Sequence, residues 1–196
     1  MKPVSKALQE AIKAGQADTF RALIRTGDWR TDNGSSSLWQ HLLLDANPEM
    51  LRFFYESAHV ERADTFKLLM MAAIHKLKPQ GLRVLLELGV DANWIYTDQK
   101  TMLHVAVAHE FEPRQEALIS EMVSVLIEHG AKTDQRDKEG LTAAHRAVMN
   151  GHLDAAKLLI DHGTPLDNHL AAAAGKLEFL QQQQALDENS IWEQPL

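Results

Sequence analysis

Histidine is the residue type most able to carry chemistry in this chain, which has ten histidines and no cysteine. A histidine metal site on a helix needs its ligands on one face, as in a His-x-x-x-His pair beside a glutamate. His104 and His109 are five positions apart and therefore point to different faces of a helix. The lack of cysteine excludes disulfides, thiolate metal sites and cysteine nucleophiles. We predict no metal ligand and no cofactor.

Carboxylates and serines were the other candidates for catalysis. The acidic pairs Glu110/Glu112 and Asp134/Asp137 lie in turn-forming stretches, whereas general acid–base catalysis needs a water-poor pocket that shifts a pKa. The serines at 35–37 have no histidine and aspartate placed to activate them and read as a helix start. No glycine-rich phosphate loop is present. We therefore predict that the chain is not an enzyme and has no catalytic or cofactor-binding residue.

The charge balance limits the classes of partner that the chain can bind. Twenty Lys and Arg against 27 Asp and Glu give a formal net charge of −7, and binding to nucleic acid irrespective of sequence depends on basic side chains that neutralise phosphates. No apolar run approaches the roughly 18 residues of a membrane span, and the first residues lack the apolar stretch of a secretory signal. We expect no nucleic acid, no membrane and a cytoplasmic location.

A repeated pattern organises the chain. Two apolar residues followed by a small residue recur, and the small residues are separated by 30, 32, 41 and 33 positions. The interval of 41 is one of 33 with eight residues added between 110 and 115. Helices of about ten residues cannot bury their apolar faces alone, so a period near 33 predicts helix pairs stacked on their copies. The small residues are Gly27, Ser57, Gly89, Gly130 and Gly163.

The stretch 137–167 gives the clearest copy. A turn ending at Gly140 precedes Thr142, whose hydroxyl is placed to cap a helix beginning there. A break follows at Asn150–Gly151, and a second helix stops at Gly163, where glycine adopts a left-handed conformation without strain. One unit is therefore a turn followed by two short helices.

This stretch resembles the ankyrin repeat, in which a Thr-Pro-Leu-His-x-Ala turn leads into the first helix. The pattern reads Thr-Ala-Ala-His-Arg-Ala at 142–147 and Thr-Met-Leu-His-Val-Ala at 101–106, and 169–176 is similar to its second half. Ala143 and Met102 replace the proline. Leu68 and Met71 stand where units of this family carry Thr and His.

The resemblance implies an all-α fold, an ankyrin-repeat solenoid of about six stacked helix-turn-helix units whose terminal units act as caps. The repeat domain would cover 1–184, with a tail at 185–196; the expected units are approximately 1–29, 30–60, 61–93, 94–134, 135–167 and 168–184. His104, His145 and His169 would bond to neighbouring turns from the Thr-x-x-His position. His129 and His162, each before a glycine, complement the end of a second helix.

In this family the partner meets the loop tips, called fingers, and the exposed positions of the first helices on the concave side. Binding hot spots are enriched in Trp, Tyr and Arg, so Trp29, Arg30, Trp94 and Tyr96 are the expected anchors. An alternative is that each aromatic ring packs on the next finger. The remaining expected contacts are Asp32, Asn33, Lys67, His75, Asp98, Lys100, His109, Lys138, Glu139, Leu141, Met149 and Asn150.

The resulting hypothesis is a non-enzymatic protein-binding module, monomeric alone, that masks or inhibits one protein partner. One form is a bacterial immunity protein, which acts like an antitoxin. An alternative is an effector or an adaptor that docks a regulatory protein, and a remote one is a ligand-binding protein or enzyme that uses the 109–116 insertion. In the tail, Ile191 and Trp192 either fold back over the last helices or form a free docking segment.

Overall fold

A computed structural model describes residues 3–26, 48–58, 63–110, 112–173 and 175 of the chain. Helices are the regular elements of these residues, and the predicted all-α fold is confirmed. Two isolated β-bridges, Ile95 with Thr101 and Arg136 with Thr142, are the extended pairings described there. The helices are α1 Pro3–Lys13, α2 Ala17–Arg25, α3 Pro48–Ala58, α4 Ala63–His75, α5 Pro79–Glu87, α6 Met102–Ala106, α7 Glu116–Glu128, α8 Ala143–Asn150 and α9 Leu153–Asp161.

The chain divides into two compact units. The first comprises Met1–Trp94 with Ser124–Ala131, and the second comprises Ile95–Val123 with Lys132–Leu196. In the first unit α1 packs on α2 and α4 on α5, as the predicted helix pairs require, while α3 contacts both α2 and α5. The rings of Phe20 and Phe54 lie 6.3 Å apart, edge to face, and both are fully buried.

The second unit is built around α8 and α9, which pack on each other, and α6, which packs on α8. Their contact uses small side chains, because Ala144, Ala147, Ala155 and Ala156 are all fully buried. Alanine suits this place, since it favours the helix and lets two backbones approach closely. Residues 168–173 are helical as well.

The helix ends predicted within 137–167 are confirmed. Helix α8 begins at Ala143, directly after Thr142, and ends before Gly151, whose φ is 84°. Helix α9 ends at Asp161, and Gly163 has a φ of 97°. Both glycines therefore occupy the left-handed conformation that favours glycine.

Two predicted boundaries were wrong. The first helix of the third repeat, expected from Phe66 to Lys76 after a short finger ending at Asp64, begins at Ala63 as α4. The first helix of the fourth repeat, expected over 101–110, ends at Ala106, so His109 lies in a loop rather than on a helix. The first difference follows from the missing Thr and His of that repeat, because nothing there caps the helix at the usual residue.

Candidate functional site

The second unit carries two fingers, defined here as finger A (95–101) and finger B (136–142). Each is a short hairpin closed by one bridge. The Tyr96 N–H donates to the Lys100 carbonyl at 2.7 Å in finger A, and the Asp137 N–H donates to the Leu141 carbonyl at 2.9 Å in finger B. Both fingers therefore have a defined backbone conformation in which the tip side chains project from a fixed base.

A threonine–histidine pair joins finger A to α6. The Thr101 hydroxyl accepts the N–H of the third helical residue, and His104 accepts the Thr101 N–H at Nδ1, 3.2 Å away. Since Nδ1 carries the lone pair, the proton resides on Nε2, which donates to the Leu141 carbonyl of finger B at 3.0 Å. Burial holds the pKa of His104 below its usual value. One neutral imidazole thus caps a helix and supports the next finger.

The same pair recurs after finger B. The Thr142 N–H donates to Nδ1 of His145, and Nε2 of that ring donates to the Asp167 carboxylate at 2.8 Å. Asp167 also accepts the N–H groups of His169 and Leu170, each at 3.0 Å. The Leu170 bond is the main cause of the lowered pKa of Asp167, with the His145 bond adding to it. Both predicted histidine contacts with neighbouring turns are confirmed at His104 and His145.

The prediction that His169 occupies the Thr-x-x-His position was wrong. Helical residues begin at 168 after Asp167, so Leu170 rather than His169 takes the third helical position that His104 and His145 occupy. The His169 side chain is exposed. His129 and His162 behave as expected near the ends of second helices, because their Nδ1 atoms donate to the carbonyls of Val125 and Leu158, each at 2.8 Å.

A buried carboxylate fixes finger B from inside. Asp137 accepts the N–H groups of Glu139 and Leu141 at 3.0 and 3.1 Å, and its side chain is fully buried against the Arg146 guanidinium. Burial alone would raise the pKa of Asp137, but the Arg146 and backbone hydrogen bonds outweigh it and the pKa is lowered. The carboxylate predicted to lie in a loop therefore has a structural role.

An ion pair links the tips of the two fingers. The Lys138 ammonium lies 2.8 Å from the Asp98 carboxylate, and the Lys138 N–H donates to the Asp98 carbonyl at 2.9 Å. The hydrogen bond from Lys138 lowers the pKa of Asp98. Glu139, beside them, binds Arg146 at 2.7 Å. Two predicted contact residues, Asp98 and Lys138, thus hold each other in place, while Arg146 holds the third, Glu139.

In the first unit, two predicted contacts also meet. The Lys67 ammonium of α4 lies over the Trp94 ring, 5.8 Å from its centroid, within the range of a cation–π interaction. Trp94 is half-buried, with Lys67 of α4 over its ring. The alternative that the ring packs on the next finger stays a prediction. Leu68, next to Lys67, is 65% exposed.

A cleft of about 310 Å³ opens in the second unit beside finger B. Its apolar wall consists of Leu141, Val148, Met149 and Leu170, and Met149 is 66% exposed. Met149 thus extends the apolar wall to the surface, and exposed apolar patches are a feature of protein interaction sites. Polar groups complete the lining with Arg136, Gly140, His145, Asp167 and His169.

Buried polar contacts fasten the loop between α6 and α7. Asn150 donates to the Val107 carbonyl at 2.7 Å. His152 is fully buried, with Nδ1 2.7 Å from Glu116 and Nε2 2.8 Å from the His109 carbonyl. Both ring nitrogens of His152 therefore lie within hydrogen-bonding distance of oxygen atoms. These side chains replace the helical bonds that the loop carbonyls have lost.

The structure places the other predicted contacts as follows. Tyr96 is 41% exposed on finger A, Lys100 is half-buried at its end, and His75 is exposed at the end of α4. Their role as partner contacts stays a prediction. Trp29, Arg30, Asp32 and Asn33 lie outside the described residues.

Sequence reasoning missed the remaining parts of the cleft wall. Arg136, Val148 and Leu170 were not singled out, although Leu141 and Met149 were. Only part of the signal was available from the residues, because Val148 and Met149 are adjacent. Leu170 reaches the cleft because the next helix starts one residue later than expected, directly after Asp167.

The described residues contain no group of three or more His, Asp or Glu side chains able to hold a metal ion. Within the same residues, no helix has both the length and the apolar character that crossing a bilayer demands.

Comparison with known proteins gives partial matches. Serine/threonine-protein kinase 12 of Arabidopsis thaliana is 30% identical over 84 residues, which is 43% of this chain and 17% of the kinase. The potassium channels AKT1 of Oryza sativa subsp. indica and subsp. japonica are each 35% identical over 48 residues, which is 24% of this chain and 5% of each channel. The matches thus span 17% or less of the length of these relatives.

A family profile described as ankyrin repeats, in three copies, matches residues 69–169, which is 101 of the 196 residues. The matched range contains both threonine–histidine pairs, both fingers and the helix pair α8 and α9. The chain therefore belongs to the ankyrin-repeat family.

Proposed function

We propose that this chain is a non-enzymatic module that binds another protein and masks or inhibits it, using the two fingers and the cleft beside finger B. Ankyrin repeats are protein–protein interaction modules, and the wall of the cleft supports such a role here. Met149, 66% exposed at the rim next to half-buried Leu141, is the single observation that carries the proposal. A partner side chain inserted there would remove both from water.

The fingers are prepared for binding before a partner arrives. The Asp98–Lys138 ion pair and the bonds to Asp137 fix the tips, so little conformational entropy is lost when a partner orders them further. Tyr96, exposed on finger A, adds an aromatic side chain with few rotatable bonds. We propose that Tyr96 and Met149 supply most of the affinity and that the charged tips set the orientation.

We propose protein rather than nucleic acid as the partner, because the formal net charge is −7 and the cleft wall is apolar. Covering the partner would itself be the output. An immunity protein that covers a toxin is the concrete form. A dissociation constant in the nanomolar range or below would support it, whereas a micromolar constant would favour an adaptor.

Affinity capture from the source cell tests the proposal. We expect the native chain to retain one predominant protein, and Met149→Ser to retain at least about tenfold less of it, since hot-spot truncations cost 2 kcal/mol or more. Leu153→Ser is the matched control, because Leu153 is a partly exposed apolar residue on the second helix α9, outside the cleft. Equal capture by both variants would reject the cleft as the binding site. A second arm, Trp94→Ala/Tyr96→Ala, reports on the aromatic anchors.

A further inference from the structure

We propose that the tail, residues 185–196, occupies the cleft beside finger B when no partner is bound, with Ile191 and Trp192 as its apolar anchor. The contact between tail and cleft is intramolecular and does not depend on the existence of a partner. Its consequence, that a partner must displace the tail, rests on the proposed function. The tail would then compete with a partner for the same cleft.

The cleft offers what such an anchor needs. Its wall of four apolar side chains encloses about 310 Å³, enough for one large aromatic side chain, and leaves Met149 largely in solvent. Ile191 and Trp192 are the apolar pair of an otherwise mostly polar stretch, Asp187 to Pro195. Burying a large apolar side chain contributes roughly 1.5–3 kcal/mol, so anchor and wall both gain from contact.

Charge favours the same occupant. Arg136 lines the cleft and donates from one nitrogen to the Gly140 carbonyl at 2.5 Å, and it pairs with no carboxylate among the described residues. Asp167, the acidic group of the lining, already accepts three hydrogen bonds. Glu193 directly follows Trp192, so a carboxylate would lie next to the anchor. Residues 176–196 carry one cation, Lys176, against four acidic residues, Glu178, Asp187, Glu188 and Glu193.

The chain is also long enough. Leu170 lines the cleft, and the description of the chain stops at residue 175, five positions later. Seventeen further residues lead to Trp192, which is a maximum span of about 55–60 Å at full extension. A tether of this length holds the anchor at an effective concentration of about a millimolar, so even a weak contact would be populated.

The absence of cysteine permits a direct test on the full chain. Met149→Cys with Ser190→Cys puts one thiol on the cleft rim and one beside the anchor. Under mild oxidation by oxidised glutathione, we expect an intramolecular disulfide at a rate independent of protein concentration. The matched pair is Leu68→Cys with Ser190→Cys. It places a thiol at a residue that does not line the cleft and is equally exposed, 65% against 66% for Met149. We expect it to react at least about tenfold more slowly.

A second variant separates docking from simple tethering. Ile191→Ser/Trp192→Ser, added to the Met149→Cys/Ser190→Cys chain, keeps the tether and removes the anchor. We expect the disulfide rate to fall at least about tenfold. An unchanged rate, or rates equal for positions 68 and 149, would overturn the proposal. Disulfides that form only between chains, at a rate rising with concentration, would also overturn it, in favour of a second copy as the occupant.

The regulatory consequence is measured separately. With a captured partner in hand, Ile191→Ser/Trp192→Ser should bind it severalfold more tightly, since the competitor is gone. Unchanged affinity would overturn the claim that a partner must displace the tail, whatever the disulfide rates are. If the native chain captures no partner, the proposed function fails, while the disulfide rates still decide whether the tail docks.

Discussion

Helices α4 and α8 are both first helices of a repeat, yet they begin differently. Helix α8 starts one residue after Thr142 and carries His145 at its third position. Helix α4 has Leu68 and Met71 where those two residues would stand and runs from Ala63 to His75, 13 residues against the eight of α8. The threonine–histidine pair therefore decides where a finger ends and a helix begins.

The histidine of the pair also determines which neighbouring group it bonds to and supports. His104 donates to the backbone of finger B, and His145 donates to Asp167 at the start of the next helical stretch. Where the pair is missing, the chain continues as helix, with Lys67 placed over Trp94 and Leu68 exposed. Among the described residues, both hairpin fingers are thus found at repeats with the pair, and changes to the pair should show its effect.

Removing one histidine should have the largest effect. His145→Ala leaves the Thr142 N–H without its partner and frees one acceptor of Asp167. We expect a loss of about 2–3 kcal/mol in the free energy of unfolding, measured by urea denaturation. His169→Ala is the control, because its exposed ring lies outside the pair; its effect should stay within about 0.5 kcal/mol. Equal losses would contradict the distinction between the two histidines.

The finger tips allow a smaller test. Finger B turns at Gly140 with a φ of 78°, whereas finger A places Asp98 and Gln99 at a φ of 59°. Gln99→Gly should stabilise the chain by about 0.5–1 kcal/mol through relief of strain, and Gly140→Ala should destabilise it by about 1 kcal/mol. A Cβ at residue 140 meets no atom within 4 Å, so the cost would be conformational alone. Thermal melting of both variants measures the effects. The melting temperature should rise for Gln99→Gly and fall for Gly140→Ala, and shifts of the same sign would contradict the prediction.

The lowered pKa of His104 predicts a pH dependence. In the unfolded chain this ring gains its proton near pH 6.5, but burial keeps the folded ring neutral to lower pH. The unfolded state binds more protons in that window, so stability is full above pH 6.5 and falls as the pH drops through it. The pKa values of Asp137 and Asp167 are lowered, so both stay ionised there.

His104→Gln isolates this contribution. Glutamine at the third helical position preserves a capping box but does not titrate. Between pH 7.5 and 5.5, we expect the native chain to lose up to about 1 kcal/mol more stability than the variant, as measured by urea denaturation at each pH. Parallel pH profiles for the two proteins would show that His104 does not titrate as proposed.

Installing the pair in α4 should have the smallest effect on stability. Leu68→Thr/Met71→His supplies a cap at the position used by the fourth and fifth repeats. We expect the helix to start after residue 68, with faster amide hydrogen exchange at residues 64–67 and a stability change of a few tenths of a kcal/mol. Leu68→Ser with Met71 retained is the control. Unchanged exchange in the double variant would mean that packing, rather than the cap, sets the start of α4.

Much of the second unit could be predicted from the residues. Thr142, Gly151 and Gly163 gave the helix ends, because a hydroxyl cap and a left-handed glycine act locally. The start of α4 could not be predicted with equal precision, since the absence of a cap does not say where a helix will start. The early end of α6 was missed for another reason: Asn150 and His152 satisfy loop carbonyls from more than 40 residues away.

The cleft shows the same limit. Leu141 and Met149 stood out as apolar residues at exposed positions, but the shift of one residue at Asp167 brought Leu170, rather than His169, into the buried position. Such a shift depends on whether Asp167 or a residue before it caps the helix, and His145 influences that choice from the preceding repeat. Periodicity locates a repeat, whereas contacts between repeats place its side chains.

Hydrogen–deuterium exchange of the chain with and without its captured partner tests the central claim most directly. The account predicts that the partner slows amide exchange at 96–100 and 138–141 and at the end of α8 around Met149, with little change along α9. Protection concentrated on α9, with both fingers exchanging as in the free chain, would contradict it.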